Sequence, residues 1–129
     1  MKYLLDTHIW IWSLLNPTKL STQVTDILNT EHNELCISVI TIWEVVLLAE
    51  KQKIAIKQPA KEWITNAFQI LPVTVLDINL EIAIKSREIE LVHQDPADRF
   101  IAATAWHHDI PLLTVDQNLV KASQIQTIS

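Results

Sequence analysis

The chain contains no glycine, although average usage of roughly 7% predicts about nine in a protein of this length. That absence excludes three phosphate and nucleophile devices at once: the glycine-rich phosphate loop, the GxGxxG dinucleotide turn and the GxSxG nucleophile elbow. Sharp turns must come from Asn, Asp, His and Pro, as in LNP, EHNE and HHDIP. Cysteine is nearly absent too. A lone Cys36 makes no intramolecular disulfide and suits a reducing compartment. Basic residues are in deficit, with 10 Lys and Arg against 15 Asp and Glu and a net charge of −5, so the composition argues against a broad basic surface for nucleic acid. It does not exclude a nucleic-acid enzyme whose acids are cancelled locally by a cation. Finally, no apolar run approaches the roughly 18 residues of a membrane span.

What is present is a core-forming chain. Hydrophobic residues make up 49% and charged residues 19%, which predicts one compact domain over residues 1–129. The opening MKYLLDTHIWIWSLL is oily, but Asp6 and His8 interrupt it and no small-residue cleavage site follows, so it reads as a core strand of a cytoplasmic protein. Strands are predicted at Tyr3–Asp6, Leu35–Val39, TVLDI and PLLTVD, with QTI as an edge strand. Helices are predicted over THIWIWSLL, STQVTDILNTE capped by Ser21, TIWEVVLLAEKQ, the stretch from Pro59 through Trp63 and Phe68, NLEIAIKSREIE, DPADRFIAATAWHH and QNLVKAS. Continuous apolar strands separated by helices mean a parallel sheet covered on both faces. The expected fold class is therefore α/β, a three-layer α/β/α domain with a central, mainly parallel sheet.

Acids recur at the ends of those strands. Asp6 closes LLD, where an N-cap role is as good a reading as any. Glu44 completes a capping box with Thr41 by the letter, yet it shares a helix phase with Ile40, Leu47 and Leu48 on an oily helix. Asp95, Pro96 and Asp98 make a helix start, with Asp95 as N-cap. Asp98, in phase with Ile101, Ala102 and Ala105, asks for more than a cap. Asp116 closes LLTVD, and Asp77 in TVLDIN has the same look. In a parallel α/β sheet, strand C-terminal ends and helix N-terminal ends share one edge, where ligands bind. Asp6, Glu44, Asp98 and Asp116 all fall there, and four converging carboxylates repel unless a cation intervenes. Oxygen ligands without a thiol point to Mg²⁺, with Mn²⁺ as substitute.

LLDT, TIWE, DPADRFIAATA and LLTVD, in this order and at this spacing, resemble the PIN domain, and more narrowly the VapC-type toxins of bacterial type II toxin–antitoxin pairs. The resemblance spans essentially the whole chain and implies a PIN-like ribonuclease. Its metal-binding and catalytic acids fall on Asp6, Glu44, Asp98 and Asp116. It also implies Mg²⁺ as cofactor, RNA (transfer RNA often) as substrate, a cognate antitoxin as partner, and a homodimer with no membrane association. Thr7 and Thr114, beside two of the acids, would orient a ligand or water. The family's glycine after the Glu-bearing helix is missing in AEKQKI, so Lys51 or Gln52 is expected to take the left-handed turn unless the helix runs on.

Other residues carry weaker signals. Arg99 is expected to pair with an acid or face solvent, with a phosphate contact as the functional alternative. His8, two residues from Asp6, reads as a core or surface residue with an RNA contact as the alternative, and His107 and His108 as partners of a helix C-terminus. Lys51, Lys53, Lys57 and Lys61 form the densest basic stretch, either an RNA-backbone contact or a solvated face. Most of the five tryptophans must fill the core; an exposed remainder would suit an antitoxin helix or a dimer surface. Two competing readings are a receiver-like signalling domain and a non-catalytic PIN adaptor. The receiver wants paired acids after the first strand and a lysine ending the last, whereas YLLD has one acid and PLLTVD no lysine.

Overall fold

The computed structural model describes all 129 residues. Five parallel strands, β1 (Lys2–Leu5), β2 (Glu34–Ser38), β3 (Thr74–Leu76), β4 (Leu112–Leu113) and β5 (Thr127–Ile128), lie in the order β3-β2-β1-β4-β5. The chain steps outward from β1 to β3, then returns to the other side of β1 for β4. The order therefore reverses beside β1, which opens a crevice at the C-terminal ends of β1 and β4.

Side chains alternate across each strand, and this splits the core in two. Leu5, Leu35, Ile37 and Leu113 face one side and pack with Trp10, Val24, Val45 and Trp63. These come from α1 (Thr7–Leu15), α2 (Thr22–Asn29), α3 (Val39–Glu50) and α4 (Ala60–Ile70). Leu4, Cys36 and Leu112 face the other side, under Ile89, Ile101, Ala102, Ala105 and Leu119. That layer is built by α5 (Leu80–Glu88), α6 (Pro96–His108) and α7 (Gln117–Val120). The alanines of α6 let it lie close against the sheet. No helix is long and apolar enough to cross a membrane.

The element pattern follows the sequence reading, with local shifts that have causes. The strand expected over PLLTVD keeps only Leu112–Leu113, because the Thr114 hydroxyl turns back to accept from the Asp116 amide at 3.1 Å. Helix α3 begins at Val39, capped by the Ser38 hydroxyl on the Ile40 amide at 3.1 Å, so Thr41 and Glu44 do not form a capping box. Pro59 stands at the N-cap of α4, one position before the first turn. Gln52 takes the left-handed conformation at φ 56° and closes α3 without glycine. Its amide bonds Ala49 O at 3.1 Å and that of Lys53 bonds Leu48 O at 2.9 Å, the paired bonds of a Schellman ending.

Candidate metal centre

Asp6 leaves the end of β1 and caps α1: its Oδ1 accepts from the Thr7 amide at 2.8 Å. Its Oδ2 accepts from the Thr114 hydroxyl at 2.7 Å, just beyond β4. Both oxygens are thus held, and the residue is only 6% exposed. Thr7 in turn donates its hydroxyl to Glu44 Oε1 at 2.6 Å. That uses its one proton, so the Thr41 hydroxyl, 2.9 Å away, must be the donor to Thr7 Oγ1. Two fully buried threonines therefore tie Asp6 to Glu44 on one side and to the Asp116 amide on the other.

Asp98 occupies the third position of α6, behind the cap formed by Asp95 Oδ1 on the amides of Ala97 (3.0 Å) and Asp98 (3.3 Å). Asp116 caps α7, accepting from the Asn118 amide at 2.9 Å. Donor atoms of Asp98, Asp116 and His93 lie within 4.8 Å of one another. Asp6 and Glu44 stand outside that tight group and join it through the threonines and through charge. Asp77 is exposed, and Asn79 rather than Asp77 caps α5.

The electrostatics are those of crowded carboxylates. Burial pushes the Asp98 carboxyl up to about 8, and the charges of Asp6, Asp95, Asp116 and Glu44 push the same way. Burial also raises Asp6; the Thr114 and Thr7 hydrogen bonds and His8 pull it part of the way back. Glu44 is raised by burial and by Asp6 and Asp95, against the Thr7 hydrogen bond. An ion at the mouth of this site would be welcomed by every one of these groups.

His93 is the residue that sequence reasoning missed. Its Nε2 lies 3.2 Å from Asp98 Oδ2 yet lacks hydrogen-bond geometry and has no other partner, although the atom is buried. Two carboxylates at ligand spacing, two more held behind them and the adjacent His93 ring form a donor set suited to a hard or borderline divalent cation. His93 Nδ1 accepts from the Asp95 amide at 3.4 Å, so Nε2 binds an ion only once it gives up the ring's proton. The signal available was a histidine five residues before Asp98, folded back by Asp95-Pro96.

Arg99 corrects an expectation. It neither meets an acid nor faces solvent, being 4% exposed. Its guanidinium donates to the carbonyls of Ser86 (2.7 Å), Ile89 (2.8 Å), Arg87, Leu91 and His93 (3.4 Å each), and so organises the segment between α5 and α6. A loop with outward-turned carbonyls needs five donors at one point, which a guanidinium alone supplies.

The comparisons with known proteins bear on family and fold. The PIN domain family model matches residues 3–124. The chain is 32% identical over 120 residues to Ribonuclease VapC22 of Mycobacterium tuberculosis, covering 90% of this chain and 88% of that one. In fold it is similar to DNA-bound VapBC from Salmonella typhimurium (TM-score 0.76, 23% identity, 99% and 97% of the chains covered). It is likewise similar to VapBC2 from Rickettsia felis bound to a promoter DNA fragment (TM-score 0.73, 18% identity, 99% and 98% covered). With a family match over nearly its whole length and a VapC relative above 30% identity, the chain belongs to the PIN domain family and, within it, to the VapC type.

Proposed function

We propose that this chain is a Mg²⁺-dependent endoribonuclease that serves as the toxin of a type II toxin–antitoxin pair. The observation that carries the reading is the convergence of Asp98, Asp116 and His93 within 4.8 Å beside the threonine-tied Asp6 and Glu44. A relative named as a ribonuclease, similar over nearly the full length, supports the same chemistry.

In this reading Asp6, Glu44, Asp98 and Asp116 hold the cation, with Mn²⁺ able to replace Mg²⁺. Such a cation supplies positive charge against which a phosphoryl oxygen, an attacking water and a leaving oxygen are all stabilised. Hydrolysis adds one water across one P–O bond of the RNA backbone. The chain's own part is positional. Thr7 and Thr114 fix the carboxylates of Glu44 and Asp6, and the N-terminus of α6 offers partial positive charge to an incoming phosphate. With the cation in place no side chain need act as a strong base. Transfer RNA is the proposed substrate, an antitoxin the proposed silencing partner, and a homodimer the proposed assembly.

The test is cleavage of total RNA by the purified chain with Mg²⁺ or Mn²⁺, beside EDTA and an Asp6→Asn control. Discrete fragments that need both the metal and Asp6 are expected. No cleavage, together with no metal binding by calorimetry, would return the acids to their role as caps and favour a non-catalytic adaptor.

A further inference from the structure

The five tryptophans divide sharply. Trp10 and Trp63 are buried and meet edge to face at 5.8 Å. Trp12 is flanked by His8 and covered by Lys19, and Trp106 is covered by Lys85. Trp43, the residue directly before Glu44, is 55% exposed, and its ring neither packs against another aromatic ring nor lies under a cation. Exposing so large an apolar ring is unfavourable unless something covers it in use.

A groove of about 260 Å³ runs along this ring, lined by Trp43, Leu47, Lys51 and Lys53 and ending against Glu44 and Asp95. Trp43, Leu47 and Lys51 follow one another at four-residue steps, so they form a stripe along α3 that spans about 12 Å. Along α3 the order is Trp43 beside Glu44, then Leu47, then Lys51 at the C-cap, so this wall of the groove runs from an acid over an aromatic and aliphatic floor to a cation. Lys51 and Lys53 are exposed and neither is in an ion pair.

We propose that this groove seats an unpaired nucleotide of the RNA, its base stacked on Trp43 and its downstream backbone on Lys51 and Lys53, next to the bond held at the acids. The inference rests on the nuclease reading and narrows its substrate class. An indole face stacks any base but needs that base out of a duplex, so the seat selects single-stranded over paired RNA without reading sequence. On a chain of net charge −5, two lysines give only a local attraction. The salt slope of binding should accordingly be shallow, roughly 1.4 for two phosphates on a single strand.

The experiment uses the full chain carrying Asp6→Asn, in Mg²⁺, so that RNA binds without being cut. Anisotropy of fluorescein-labelled oligoadenylate and oligouridylate reads affinity. Adding Trp43→Leu is expected to weaken both by roughly 10- to 100-fold, while Trp43→Phe retains most of the affinity. Melting temperatures should match, since an exposed side chain is changed. A duplex RNA should compete poorly, and Lys51→Gln with Lys53→Gln should flatten the salt slope. Unchanged affinity with Trp43→Leu, or equal competition by duplex, overturns the seat. So does a Trp43→Leu chain that binds RNA normally but loses its antitoxin, since the occupant is then a protein. Wild-type cleavage measured alongside separates the two readings: cleavage that persists while the seat fails leaves the nuclease standing, whereas no cleavage and no RNA binding removes both.

Discussion

Thr7 donates its hydroxyl to Glu44 Oε1 at 2.6 Å across 37 residues of chain, so the N-terminus of α1 and the middle of α3 are fixed to each other at the acids. Because Thr7 also gives its amide to Asp6, one residue positions two carboxylates on different elements. Thr7→Val keeps the shape and removes the tie. The buried Thr41 hydroxyl then loses its acceptor, costing about 1 kcal/mol of stability. RNA cleavage should fall roughly 10- to 100-fold, the range seen when a group that orients a metal ligand is removed. Cleavage rates beside urea melts separate the two effects; equal rates for Thr7→Val would show that Glu44 needs no positioning.

Asp98 sits where two effects oppose. The first turn of α6 favours an acid by a few tenths of a kcal/mol, up to about 1. Burial and the four neighbouring acids oppose it, and a carboxyl pushed up to about 8 says that the opposition wins. Without metal, Asp98→Asn should therefore melt higher than wild type. With Mg²⁺ the wild type should gain more than the variant. A metal-free Asp98→Asn chain that melts clearly lower would make Asp98 a structural cap instead.

The same group sets a pH dependence. In the folded chain Asp98 titrates near 8, against 3.8 for its ordinary value, so between these the folded state holds more protons than the unfolded one. Stability from this group is full below about 4 and is lost as pH rises through about 8. Asp6 and Glu44, also raised, act in the same direction. Urea midpoints of the metal-free chain should thus fall from about pH 5 to about pH 8, with a shallower fall in Asp98→Asn. A rise over that range in EDTA would contradict the crowding of these acids.

Arg99 touches no acid of the site, yet it holds the loop that carries His93 and Asp95. Arg99→Lys keeps the charge but has one ammonium for five carbonyls, and burying an ill-satisfied charge is costly. A loss on the order of 3 kcal/mol is expected for Arg99→Lys and for Arg99→Ala alike, read by urea unfolding. Near-wild-type stability of Arg99→Lys would mean that the fork geometry is dispensable.

The layered fold was legible because its signals are local and periodic. Leu4-Leu5, Leu35 to Ile37 and Leu112-Leu113 are apolar on both faces, and Ser21 and Asp95-Pro96 mark helix starts by their own chemistry. The edge location of Asp6, Glu44, Asp98 and Asp116 follows from that alternation alone. What was illegible depends on long-range pairing. Thr41 fits a capping box by spacing, but Ser38 already caps α3, and the Thr41 hydroxyl is spent on Thr7. Arg99 looks like a surface cation until the carbonyls of a loop folded over it are counted. His93 lies in that same irregular loop, where no periodicity tells which way a side chain points.

His93 is therefore the sharpest remaining test of the site. Its Nε2 is buried, lacks a hydrogen-bond partner and lies 3.2 Å from Asp98 Oδ2, an arrangement that leaves a polar atom unsatisfied unless a ligand binds beside the pair. If the ring belongs to the cation's surroundings, His93→Gln should weaken Mn²⁺ binding by roughly 10- to 100-fold while costing little stability without metal. An imidazole favours Mn²⁺ over Mg²⁺ more than an amide oxygen does, so the ratio of the two affinities should shrink in the variant as well. Calorimetric titration with each ion gives both numbers. Equal losses for the two ions would assign His93 to holding Asp98 in place, and no loss for either would leave its buried nitrogen without a part in the site.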